Sequence, residues 1–210
     1  DLVKIEEARD IPLLTTLNAA PEVLDYHTGM KFFFNERYQF AEKILARTGK
    51  RPVRVIGGGS VATYCFSFLF WIGIPTIILV GQDLAYTDNK SHADGTFHKE
   101  MQQVDTSAFI TVEGNYEDKV PTRQDFRQFL NWYNEYIKEC QAYYKWHGQE
   151  FRVVNATEGG AKIEHTEIMT LKDAIEQECT KEVDIQECMI KLTPMLDEEN
   201  QIWAVDHLKS

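Results

Sequence analysis

A basic stripe is what this chain most plainly lacks. Its 210 residues carry 22 Lys and Arg against 33 Asp and Glu, for a formal net charge of −11. Nucleic-acid binders need clustered positive charge, so nucleic acid is not an expected partner. The acidity speaks to solubility rather than to fold. Cysteine is scarce and unpaired: Cys65, Cys140, Cys179 and Cys188 form no CxxC. That leaves four reduced thiols, as in a cytoplasmic protein, with Cys65, inside the most apolar segment, expected to be buried. Long apolar runs are missing too. The longest, Val61–Ile72, falls well short of the roughly 20 residues that span a bilayer, and no signal peptide opens the chain. A membrane is therefore not expected. There is no internal repeat, no low-complexity segment and no initiator Met. Asp1-Leu2-Val3 reads like the interior of a longer protein.

What is present is a core-forming composition, 43% hydrophobic and 12% aromatic, organised around residues 53–95. An apolar run, Val53–Ile56, enters Gly57-Gly58-Gly59-Ser60. A dozen apolar and small residues follow, stopped by Gly73 and Pro75. A second apolar run, Thr76–Val80, ends in Gln82, Asp83, Tyr86, Thr87, Asp88 and His92. Strand, glycine turn, helix and strand make a βαβ unit, and continuously apolar strands belong in a parallel sheet covered on both faces. The predicted fold is α/β, a Rossmann-like, mostly parallel sheet flanked by helices. It occupies residues 1–170 and is incomplete at its N-terminus, with a helical extension over 171–210. In open α/β sheets ligands bind beyond the carboxyl ends of the strands. The turn at Gly58, Gly59 and Ser60 and the loop at Gln82, Asp83 and Tyr86 should therefore share one rim. Ser60 is the expected N-cap, and amides at a helix N-terminus suit phosphate or carboxylate. The pattern is neither GxGxxG nor a Walker loop, and a plain tight turn fits it equally well.

The remaining elements follow in order. Asp10–Leu17 and Met30–Phe34 read as strands, the second ending at Asn35, another rim residue. Pro21–Tyr26 and Glu36–Arg47 read as helices. The long polar stretch Asp83–Ser107 is of a kind that usually serves function. It holds His92 and His98, in a spacing that matches no standard metal-ligand set. Phe109–Val112 is a short strand, and Thr122 is the expected N-cap of a long helix to Trp146. Phe151–Val154 is a further buried strand, broken at its carboxyl end by Asn155 and Glu158, the latter a solvated turn residue or a site residue. Leu171–Cys179, capped by Thr170, and Val183–Leu192 are amphipathic helices, and Trp203 is expected to dock back.

Several of these stretches together resemble the central domain of the motility accessory factor family. They are GGSVATYCFSFLFWIGIPTIILVGQDLAYTDNKSHADGT, KFFFN at 31–35, VEGNY at 112–116, VPTRQDFRQFLNWY at 120–133 and VVNATEGGAKIEHTE at 153–167. Members of that family are flagellin glycosyltransferases that place nonulosonic acids on Ser or Thr, and they are similar in fold to bacterial sialyltransferases. The resemblance implies CMP-activated sugar as substrate and flagellin as partner, and because such a donor carries a single phosphate no metal or other cofactor is expected. Gly81-Gln82-Asp83-Leu84-Ala85-Tyr86 stands where sialyltransferases carry Gly-x-Asp-Phe-Tyr, one residue longer, which implies that Tyr86 binds the nucleotide phosphate. The sialyltransferases' catalytic histidine has no counterpart near Glu113–Tyr116. His92 is the first candidate for the general base and Glu113 the second. Family members also carry an earlier βαβ section with a Gly-Pro-Ser loop, and a piece without it is expected to be inactive alone. Two other readings stay open. One is an archaeal 6-hydroxymethylpterin diphosphokinase relative using ATP and Mg²⁺ through Asp83 and Asp88. The other is a non-catalytic domain that binds flagellin or another partner.

Overall fold

A computed structural model describes residues 9–16, 19–34, 39–47, 49, 55–87, 104–184, 199 and 203. The chain divides into two units, residues 1–56 with 184–210, and residues 57–183. In the first unit, strand β1 (Leu13–Thr16) pairs in parallel with β2 (Lys31–Phe34), from Leu13 opposite Lys31 to Thr16 opposite Phe34. The six-residue helix α1 (Pro21–Tyr26), opened by its proline, makes the crossover. Helix α2 (Gln39–Ala46) follows. Trp203 lies beneath the Arg47 guanidinium, 4.7 Å from it, so this tail residue does pack within its unit. The expected strand Val53–Ile56 is not confirmed: residues 53 and 54 lie outside the described residues, and Val55 and Ile56 belong to no strand. Residues 185–192, most of the second expected C-terminal helix, also lie outside them, as do Asn35 and His92.

The second unit holds helix α3 (Val61–Trp71), β3 (Thr76–Leu79), β4 (Ile110–Val112), β5 (Val120–Thr122), α4 (Gln124–Trp146), β6 (Arg152–Asn155), β7 (Glu167–Ile168) and α5 (Leu171–Glu178). Strands β3, β6 and β7 form a parallel sheet in that order, Thr76 opposite Arg152 and Leu79 opposite Asn155. Strands β4 and β5 form a separate antiparallel pair. This is the mixed α/β architecture of parallel sheets flanked by helices that the apolar runs imply. Among the described residues no helix is long and apolar enough to cross a membrane.

Helix α3 is uncharged throughout, yet it buries only one stripe: Thr63, Phe66 and Ser67, at spacings of three and four. Cys65 points the other way and is exposed, contrary to expectation. At 100° per residue it falls outside the stripe, on the side where Val61 is 80% exposed. Helix α4 buries Leu130, Tyr133, Ile137, Cys140 and Tyr144, also at spacings of three and four, against that stripe and the β3–β6 sheet. Two polar groups of α3 are satisfied locally. The Ser67 hydroxyl is 2.9 Å from the Tyr136 hydroxyl, and buried Thr63 belongs to the cap.

That cap is as the sequence predicts and more extensive. The Ser60 hydroxyl accepts from the Thr63 amide at 3.3 Å. The Thr63 hydroxyl accepts from the Gly58 amide at 2.8 Å and the Ser60 amide at 3.4 Å, and donates to the Ser60 carbonyl at 2.6 Å. Thr63 serves more groups than Ser60, so the two should differ in effect. Ser60→Ala is expected to lower the unfolding free energy by about 1 kcal/mol. Thr63→Val, which strands two amides, is expected to lower it by about 2 kcal/mol. Urea denaturation monitored by circular dichroism checks the ranking.

Candidate functional site

The carboxyl ends of β3 and β6 lie side by side because their strands are parallel neighbours, and the loops that leave them are bonded together. The Gln82 amide donates to the Thr157 hydroxyl at 3.1 Å. The Ala161 amide donates to the Asp83 carbonyl at 2.7 Å, and the Gly160 amide to the Thr87 hydroxyl at 3.1 Å. A third segment joins from the far end of β4. The Asn115 amide donates to the Gly160 carbonyl at 2.9 Å, the Lys162 amide to the Glu113 carbonyl at 2.8 Å, and Gly114 bridges Ala161. The Asn115 side chain donates to the Gly159 carbonyl and accepts from the Asn155 amide group at 3.2 Å. Buried Asn155 in turn accepts from the Thr157 amide at 3.2 Å. Gln82, Asp83, Glu113 and Asn155, remote in sequence, thus meet in one network, and Glu158 stands in the turn that it holds between Thr157 and Gly159.

The backbone of this edge is unusual. Leu84 and Glu158 both hold left-handed conformations, φ 49° and 62°, without being glycine. Such positions cost about 1–3 kcal/mol and persist only where the surroundings impose them. Leu84 is buried, and its carbonyl accepts from the Thr122 hydroxyl at 2.6 Å. Thr122 is therefore not the helix cap the sequence suggests. It lies within β5, where its hydroxyl is drawn to the rim loop, and Arg123 holds the cap position with no side-chain cap bond.

Tyr86 is 5% exposed. Its amide donates to the Pro121 carbonyl at 2.8 Å, and its ring stacks on Phe126 at 5.6 Å and meets Phe109 at 5.0 Å. The ring is a packing element of the edge. Beside it stands Arg123, whose guanidinium pKa is raised, first by its hydrogen bond to Asp125 and to a smaller degree by Tyr86. The three glycines before α3 seat rings. A Cβ at Gly57 would lie 2.3 Å from the Tyr64 ring, and one at Gly58 2.5 Å from Trp132 Cγ. Gly59 faces Phe129, which neighbours Phe126. Gly58 and Gln82 each meet a neighbouring side chain of α4, Gly58 against Trp132 and Gln82 within 3.4 Å of the Tyr133 hydroxyl. Among the described residues no hydrogen bond joins the glycine turn directly to the Gln82 loop, and helix α4 is the element that both meet. The cap itself takes the amides of Gly58, Ser60 and Thr63.

The carboxylates differ in environment. Glu113 is paired with Lys162 at 2.5 Å. Asp83 keeps solvent access on one side, while the loops around it desolvate its carboxyl and raise its pKa above the usual range. Glu158 is exposed, and among the described residues no ion pair reaches it. No group of three or more His, Cys, Asp or Glu stands together as a metal site among the described residues. Asn115 and Thr157 carry much of the network, and sequence reasoning passed over both. The available signal was that VEGNY and NATEGG each place a side-chain amide beside small residues at a strand end.

Comparison with known proteins adds three findings. The family model described as 6-hydroxymethylpterin diphosphokinase MptE-like matches residues 1–89, which takes in β1 through the Gln82 loop. An uncharacterized protein of Treponema pallidum (strain Nichols) is 29% identical over 119 residues, covering 51% of this chain and 42% of its own length. The match thus spans less than half of that relative. No solved structure matches this chain.

Proposed function

We propose that this chain is part of a transferase of the motility accessory factor type, which moves a nonulosonic acid from a CMP-activated donor to a Ser or Thr hydroxyl of flagellin. The observation that carries the reading is the single hydrogen-bonded edge formed by GQDLAY, VEGNY and NATEGG. These are among the stretches on which the resemblance rests, and they are brought together by bonds that span 44–75 residues. An edge of this kind, at the carboxyl ends of parallel strands, is where such folds hold ligands. Transfer would need amides and hydroxyls on the leaving phosphate and a base for the acceptor hydroxyl. The end of α3 and the hydroxyls of Ser60, Thr87 and Thr157 offer the first, and a rim carboxylate the second.

The family match favours a second reading, a diphosphokinase-like enzyme that transfers a phosphoryl group from ATP. It would hold Mg²⁺ through Asp83 and Asp88. Asp88 lies outside the described residues, and the single carboxylate of Asp83 does not by itself make a magnesium site. Calorimetry on the full-length protein separates the two. The transferase reading expects heat with CMP, with a Kd between about 1 μM and 1 mM, or −8 to −4 kcal/mol, and none with ATP and Mg²⁺. Heat with ATP and Mg²⁺ alone overturns it in favour of the diphosphokinase. Silence with both, together with retention of flagellin in a pull-down, leaves the binding domain.

A further inference from the structure

We infer that Glu158 is the general base of the proposed transfer and that Asn115 is its positioning residue; this rests on the transferase reading above. The turn Thr157-Glu158-Gly159-Gly160 is fixed on every side. Thr157 is held by the Gln82 amide and by Asn155. The Gly159 carbonyl accepts from the Asn115 side chain and the Gly160 carbonyl from the Asn115 amide. The Gly160 amide is held by Thr87, and Gly160 itself lies so close to the Asp83 backbone that a Cβ would come within 2.3 Å of the Asp83 carbonyl oxygen. Within this turn the exposed side chain is the Glu158 carboxylate, which no hydrogen bond or ion pair engages among the described residues, and its backbone is in the left-handed region at φ 62°.

A glycine would adopt that conformation at no steric cost, and glycines occupy the next two positions. A glutamate there is a strained choice held in place by its neighbours, a combination that clusters at active sites. The rival carboxylate on the same edge is less suited. Glu113 is engaged by Lys162, and moving a proton onto it would break that pair. Asp83 is bonded into the clamp through its carbonyl and lacks the left-handed backbone that marks Glu158. In the step assigned to Glu158, its carboxylate takes the proton of the acceptor Ser or Thr hydroxyl. The acceptor oxygen forms the new bond to the sugar's anomeric carbon as the bond from that carbon to the phosphate oxygen breaks. CMP leaves with the electron pair, and the proton remains on Glu158 until solvent removes it.

The test uses the full-length protein with CMP-activated nonulosonic acid and flagellin. Glu158→Gln is expected to reduce kcat by about 10²–10⁴-fold with KM for the donor and the calorimetric Kd for CMP within about twofold of wild type. Glu158→Asp should recover part of that loss. Glu158→Gly should raise the urea midpoint while turnover falls as it does in Glu158→Gln, since it relieves the backbone and removes the base. Asn115→Ala should lower kcat by about tenfold at unchanged CMP affinity. If Glu158→Gln and Glu158→Gly turn over within twofold of wild type while CMP still binds, Glu158 is not the base and the assignment is overturned with the transferase reading intact. Absence of CMP binding by the wild type overturns that reading, and the assignment with it.

Discussion

Phe66→Ala lowers the unfolding free energy by about 3–5 kcal/mol, the range for removing a buried ring without refilling its space. Phe66 is 2% exposed and sits where α3 crosses α4. Its ring meets Tyr133 at 5.6 Å, Tyr136 at 6.1 Å, Phe151 at 6.2 Å and Trp132 at 6.3 Å, all steeply inclined. Edge-to-face pairs add about 0.5–1.5 kcal/mol to area burial, and here one ring serves four. Most of the partners are anchored on α4 and cannot close the gap without moving that helix, so relaxation should recover little. Phe66→Leu, which fills most of the volume and forfeits the ring pairs, should cost roughly 1–2 kcal/mol. The measurement is urea denaturation followed by near- and far-ultraviolet circular dichroism. A loss below 1 kcal/mol in Phe66→Ala would mean that α3 does not depend on this contact. The functional consequence follows from Trp132, which touches Phe66 on one side and confronts Gly58 on the other. On the transferase reading, loosening that ring should weaken CMP binding as well as stability.

Local order left clear traces in the sequence. The spacing of apolar residues gave α3 and α4 nearly to their ends, the continuous runs gave β3 and β6 as strands of a parallel sheet though not as neighbours, and Ser60 and Thr170 cap their helices as their chemistry requires. What could not be read locally was direction and distance. Cys65 looked buried because its helix is apolar on all sides, and periodicity carries no orientation when every face qualifies. Thr122 had the right neighbours for a cap, but the Leu84 carbonyl, 38 residues away, claims its hydroxyl. The glycines before α3 suggested an anion cradle, and their role as seats for Tyr64 and Trp132 depends on rings brought by folding. Asn115 reaches Gly159 over 44 residues, and although an amide beside small residues marks each strand end, nothing in the neighbouring sequence says which partner it takes. The rim was therefore legible as a set of strand ends, whereas the clamp that joins them was not.

Gly160→Ala tests that clamp, with an expected loss of about 3–4 kcal/mol, and Gly73→Ala is its control. Both glycines hold left-handed backbones, φ 74° and 84°, so each alanine bears about 1 kcal/mol for the conformation alone. They differ in what lies beside them. Nothing stands within 4 Å of a Cβ at Gly73, whereas one at Gly160 would meet the Asp83 carbonyl oxygen at 2.3 Å, its Cα at 2.6 Å and its carbonyl carbon at 2.8 Å. These are main-chain atoms, with no rotamer to turn aside. The two loops must part, at a cost typical of overpacking, about 1–3 kcal/mol. Parting them also stretches the Ala161 amide to Asp83 carbonyl bond and the Gly160 amide to Thr87 hydroxyl bond. Gly73→Ala should therefore shift the urea midpoint slightly and leave CMP affinity alone. Gly160→Ala should shift it three to four times as far and, on the transferase reading, weaken CMP binding at the same time. Equal shifts would mean that the conformational term is all there is, and that the loops after β3 and β6 do not bear on each other. The unequal result, with the loss of affinity confined to Gly160→Ala, ties nucleotide binding to the contact between those two loops rather than to the stability of the domain at large.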